Sequence, residues 1–201
     1  QSIFIKNNKM QEFKTWFEIG FDHILNYQAL DHILFVFALT IMYEIKMIKK
    51  IVILITAFTI GHTITLVLST LNMINFDQKI IEFSIPLTIA ITSINNIISR
   101  KKNLNSISNI NYFIALFFGL IHGLGFSNYL KALLIGDNIL LELFAFNVGV
   151  EVGQIIIVIG FLLMSYFISK IFFSKKGEWI LFVSSLILGI SLTLIINAKF
   201  W

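Results

Sequence analysis

Five uninterrupted apolar runs, at 51–72, 80–99, 112–133, 140–169 and 179–198, are each long enough to cross a bilayer core as a helix. Lipid offers no water to backbone N–H and C=O groups, so a chain made of such runs is restricted to helices or a closed barrel. The runs are continuous rather than alternating, which excludes barrel strands. Composition agrees: 57% of residues are hydrophobic and 13% charged, where soluble domains carry about half and about a quarter. The expected fold is an all-α polytopic transmembrane helix bundle of six to seven spans, a single membrane domain over residues 1–201 with 1–12 as a polar, outward-facing N-terminal tail. That tail has no apolar h-region, so no signal peptide is expected within it. There is no cysteine, which excludes disulfides, thiolate metal sites and cysteine nucleophiles.

The net charge of +4 does not call for nucleic acid, because its distribution has a membrane explanation. Lys46, Lys49 and Lys50, then Arg100, Lys101 and Lys102, then Lys170, Lys175 and Lys176 fall in alternate connectors. The intervening ends hold only Lys79, Lys131 and Lys199, although Lys6, Lys9 and Lys14 in the N-terminal tail run against the bias. The positive-inside rule makes the lysine-rich side cytoplasmic and turns both termini outward, with a bacterial inner membrane as the expected location. Trp16, Trp179 and Trp201 read as interfacial anchors.

The first apolar segment is different. From Phe13 to Tyr43 an unbroken helix would measure about 45 Å, too long for a ~30 Å core. Asn26, Tyr27 and Gln28 interrupt it, leaving a piece from about Leu30 to Tyr43 that begins near the midplane. The segment is therefore expected to be broken or re-entrant, and interrupted, short hydrophobic segments point to binding sites.

All four histidines, His23, His32, His62 and His122, lie inside apolar segments, as do Asp22, Asp31, Glu82 and Glu151. Each ionisable group near a span centre costs about 2.5 to 3.5 kcal/mol to insert, so several together need one another, an ion or water. His62 and His122 both lie about 15 Å into their spans, Glu151 reaches a similar depth from the opposite end, and Asp31 with His32 opens the half-span. These groups are expected to share one layer. Glu82 is shallower and suits an outer entrance. Asn147, Glu151 and Gln154 fall on one helical face, while Thr56, Thr59, Thr63 and Thr70 run beside His62. Gly119 and Gly123 flank His122 in a pattern that permits close helix approach. The pairs Asp22–His23 and Asp31–His32 would face opposite ways on one helix, so only one can serve the site unless the helix breaks. Imidazole and carboxylate together suit divalent first-row ions, with nickel, cobalt, zinc, iron and manganese all compatible.

The strings HILNYQALDHILFVFAL (23–39), TAFTIGHTITL (56–66), FFGLIHGLGFS (117–127) and FNVGVEVGQ (146–154) resemble the HupE/UreJ family of membrane proteins, and in order and spacing they cover nearly the whole chain. Members of that family are regarded as nickel or cobalt permeases, or as accessories to hydrogenase and urease maturation, with six to eight spans. The resemblance implies secondary transport of a divalent metal, with His23, Asp31, His32 and His122 contacting it and His62 and Glu151 matching further polar positions.

Two functions use this set of residues. The first is a permease for a divalent transition metal ion of the nickel and cobalt class, with His23, Asp31, His32, His62, His122 and Glu151 at the metal and Glu82, Asn147 and Gln154 along the pathway. Its partners are the metal ion and membrane lipid, with metalloenzyme-maturation proteins implied by the resemblance. The alternative is an intramembrane zinc hydrolase acting on a lipid or peptide, in which a carboxylate activates metal-bound water. No phosphate-binding G-x-x-x-x-G-K-[ST] string is present, so the chain does not draw on ATP by itself.

Overall fold

Polar punctuation cuts the apolar sequence into seven helices in a computed structural model of the protein, which describes residues 2–26, 30–101, 110–133, 139–172 and 175–198. They are α1 (Ser2–Leu25), α2 (Leu30–Thr40), α3 (Ile48–Thr70), α4 (Gln78–Ser99), α5 (Ile110–Leu133), α6 (Ile139–Phe172) and α7 (Lys176–Asn197), with a single 3-10 turn at Ile45–Met47 before α3. Helices α3 to α7 are long and apolar enough to span a membrane, and α2 is a shorter apolar helix. The expected break in the first segment is present between α1 and α2. Helix α1 starts at Ser2, so the polar residues expected as a tail form its first turns. Tyr27, Gln28, Lys102, Ser174, Lys199, Trp201 and the connectors at 103–109 and 135–138 lie outside the described residues.

Local chemistry sets the hairpin between α3 and α4. Asn72 takes a left-handed φ of 57°, and behind it the Met73 amide bonds the Leu68 carbonyl while the Asn72 amide bonds that of Ser69, both at 2.9 Å. This double bond with a left-handed residue is the common way to satisfy the last carbonyls of a helix. Asp77 then caps α4, its Oδ1 accepting from the Lys79 amide at 2.9 Å.

Glycines define the two closest helix pairs. A Cβ on Gly61, Gly119 or Gly123 would collide with the backbone carbonyl of Leu116, Phe58 or His62, so α3 and α5 pack nearly backbone to backbone. Gly20 and Gly149 do the same for α1 and α6 against Phe146 and Phe17. The contact order, 58 with 119 and 62 with 123, then 17 with 149 and 24 with 153, shows that both pairs run parallel. Close parallel contact through small residues suits lipid, where burying apolar surface against a neighbour gains little over lipid and van der Waals fit carries association.

Helix α2 packs against α4, α6 and α7. Its C-terminal end is held by Asn96, which donates to the Ala38 carbonyl at 2.6 Å. Just beyond, Lys176 reaches the Met42 carbonyl at 3.3 Å and Glu44 at 3.1 Å. Lys46 also binds Glu44, at 2.7 Å. Hydrogen bonds from Lys46 and then Lys176 hold the Glu44 carboxyl below its ordinary value despite partial desolvation. The ends carrying Lys46, Arg100 and Lys176 thus meet at one end of the bundle, and Ser2 and Asn197 lie at the other. Trp16 and Trp179 are buried, and Trp179 donates to Ser165 at 2.5 Å. The anchor reading is therefore corrected for both, because each indole fills an interhelical gap and turns away from the lipid-facing surface.

Candidate metal centre

The break after α1 lets two histidines from one sequence block face each other. The rings of His23, near the end of α1, and His32, in the first turn of α2, have centroids 4.6 Å apart. An unbroken helix would have turned them to opposite sides. Asp22 is exposed and stays outside the cluster, so the second Asp-His pair enters whole and the first contributes only its histidine.

His32 occupies the centre. Its ring centroid lies 5.7 Å from that of His122 on α5, and its Nδ1 is 3.3 Å from Asp31 Oδ1. Asp31 sits in the first turn of α2, where the helix dipole favours a carboxylate by about 0.3 to 1 kcal/mol. Two three-ligand groups result. His23, His32 and His62 bring one donor atom each within 4.8 Å of one another, and Asp31, His32 and His122 do likewise. His32 belongs to both.

These donors lie in a dry environment. His62 and His122 are 0% and 1% exposed, and Phe35 and Phe58 wall His122, with centroids at 4.7 and 5.3 Å. Phe126 covers His23 at 3.8 Å. Yet His23 Nε2, His32 Nε2, His62 Nε2 and His122 Nδ1 are buried with no hydrogen-bond partner. A buried polar atom left unsatisfied costs about 1 to 3 kcal/mol. Each of the four neighbouring imidazoles thus keeps at least one buried nitrogen with no protein partner, the kind of donor a transition-metal ion takes, and Asp31, 26% exposed at its side chain, lies beside them.

The other sequence candidates are placed differently. Glu151 enters neither group; its Oε1 accepts from Thr56 at 2.6 Å on the seam between α3 and α6. Depth along the helix is the right layer for Glu151, but rotation about the axis turns it to the threonine stripe. Gln154 accepts from Thr59 at 3.1 Å on the same seam. Asn147 touches the cluster itself, with Oδ1 3.4 Å from His62 Nδ1. Glu82 is exposed and accepts from Gln78 at 3.1 Å, at the bundle end away from the lysines. Gln78 also reaches the Gly125 carbonyl and receives Asn128. Ser69, Asn75, Gln78, Leu124, Ser127 and Asn128 line a recess there.

Sequence reasoning missed Thr88, whose Oγ1 lies 3.1 Å from His122 Nε2. The signal was available: Ser84, Thr88 and Thr92 recur every four residues on α4.

No curated protein and no solved structure matches the chain. With four imidazoles and a carboxylate gathered at a helix break inside an all-helical membrane bundle, the remaining comparison agrees with the sequence strings: the family model described as HupE / UreJ protein matches residues 1–200, and the chain belongs to the HupE/UreJ family.

Proposed function

We propose that the protein is a membrane permease for a divalent transition metal ion of the nickel and cobalt class, held during passage by His23, Asp31, His32, His62 and His122. The observation that carries this reading is the free, buried nitrogen on each of the four histidines, beside one partly exposed carboxylate. Neutral imidazole with carboxylate suits first-row divalent ions and is poorly matched to calcium or magnesium, which take oxygen ligands. Membership of the HupE/UreJ family, which is associated with nickel and cobalt transport, supports the same cargo.

The positions of the polar groups fit a route. The recess between α3, α4 and α5 reaches Ser127, five residues and therefore about 7.5 Å along α5 from His122. Gln78 lines it and donates to the exposed Glu82, whose carboxylate gives a hydrated ion a first polar contact. Two overlapping ligand groups sharing His32 let an ion change partners without losing all of them, which keeps its binding weak enough at each point to leave. The lysine-rich end is the cytoplasmic one under the positive-inside rule, so entry is from the outside with both termini outward.

Uptake of Ni²⁺ or Co²⁺ into proteoliposomes tests the proposal. The native chain is expected to admit the ion, and His122→Ala and Asp31→Asn to admit much less. Native uptake by both variants refutes the site.

A further inference from the structure

Which nitrogen of a histidine can bind a metal is decided by where its single neutral-state proton sits, and that is set by the bond the other nitrogen makes. At His122 the bond runs through Thr88. Thr88 Oγ1 is 2.7 Å from the Ile85 carbonyl oxygen and 3.1 Å from His122 Nε2. A carbonyl oxygen only accepts, so the one hydroxyl proton of Thr88 goes to Ile85 and a hydroxyl lone pair faces His122. Nε2 then carries the proton and Nδ1 the lone pair. Nδ1 is the His122 nitrogen that is buried without a partner.

The same logic holds at His62 through a different side chain on a different helix. Asn147 Nδ2 donates to the Leu143 carbonyl at 2.7 Å, which turns Oδ1 toward His62 Nδ1 at 3.4 Å. An amide oxygen only accepts, so His62 is protonated at Nδ1 and its lone pair lies on Nε2, again the buried nitrogen without a partner. Thr88 and Asn147 are themselves buried, 3% and 6% exposed, so water does not compete for either bond.

Resting on the metal-site reading above, we infer that Thr88 and Asn147 are positioning residues for the metal: each fixes its histidine in the tautomer whose lone pair points into the cluster. Neither touches the ion. Removing the Thr88 hydroxyl leaves His122 free to place its proton on the cluster-facing nitrogen, and metal binding must then displace it.

The test is Co²⁺ titration of the purified full chain, read by the visible absorbance of bound cobalt, alongside thermal unfolding without metal. Thr88→Val is expected to weaken Co²⁺ binding about 10- to 100-fold, the usual effect of losing a group that orients a ligand, while Thr88→Ser retains it and both unfold like the native chain. Asn147→Leu is expected to weaken binding similarly through His62, so a misfolded variant at one position leaves the other decisive. Native affinity in Thr88→Val, or equal weakening in Thr88→Ser and Thr88→Val, overturns the inference. His32→Ala, which withdraws a donor from both ligand groups, separates the two levels: native affinity there refutes the site itself, whereas lost affinity there with native affinity in Thr88→Val refutes only the positioning role.

Discussion

Metal binding should raise the thermal stability of this protein, because an ion held by the folded chain takes up its unsatisfied imidazoles. Counting one buried nitrogen without a partner on each of the four histidines, at about 1 to 3 kcal/mol each, puts roughly 4 to 12 kcal/mol of unmet polarity in the metal-free state. An ion that binds only the folded chain adds about 2.7 kcal/mol at a hundredfold excess over its dissociation constant. For a chain of about 200 residues each kcal/mol moves the midpoint about 2 to 4 °C, so the shift expected is about 5 to 11 °C. Trp16 and Trp179 are buried and provide an intrinsic fluorescence signal for a thermal scan in detergent. Co²⁺ or Ni²⁺ should produce the shift. Mg²⁺ should not, because it prefers oxygen ligands and parts reluctantly with its water. His32→Ala withdraws a donor from both ligand groups and should abolish the shift. An equal shift with Mg²⁺, or a full shift in His32→Ala, refutes the reasoning.

Because His32 is shared, His32→Ala should reduce Co²⁺ affinity more than His62→Ala or His122→Ala, each of which leaves one three-ligand group intact; equal losses in a titration would show a single undivided site. Glu151→Gln keeps an acceptor for Thr56 and should leave Co²⁺ affinity unchanged, and a large loss would return Glu151 to the ligands. A Cβ at Gly119 meets the Phe58 backbone, so Gly119→Ala should destabilise the chain by about 1 to 3 kcal/mol, whereas Gly189 has nothing within 4 Å and Gly189→Ala should stabilise α7 by about 0.5 to 1 kcal/mol; thermal midpoints read both signs. Glu44 is held below its ordinary value, so its contribution is complete above the unfolded carboxylate range and is lost as pH falls through the lowered folded value. Acid titration of the thermal midpoint should show this loss, worth at most about 1 kcal/mol for so exposed a pair, and Lys46→Ala combined with Lys176→Ala should remove it.

The sequence by itself determined the helical bundle, the break in the first segment, the lysine-rich end and the layer in which His32, His62 and His122 meet. These follow from quantities local to a segment: apolar length against bilayer thickness, a polar interruption, and 1.5 Å of rise per residue. That α5 could approach a neighbour closely was legible too, since Gly119 and Gly123 are spaced one turn apart, although the partner, α3, came from the structure. Only the tertiary structure decided which groups at that depth face one another. Depth fixes how far along its axis a side chain lies but not the rotation of the helix about that axis, and the rotation turned Glu151 to Thr56 and Asn147 to His62. The break after Leu25 redirected the chain so that His23 joined the cluster without Asp22. Thr88 was hidden for a related reason: its role depends on a hydroxyl with one proton already committed to Ile85, a fact of hydrogen-bond geometry between two helices that no spacing along either one contains.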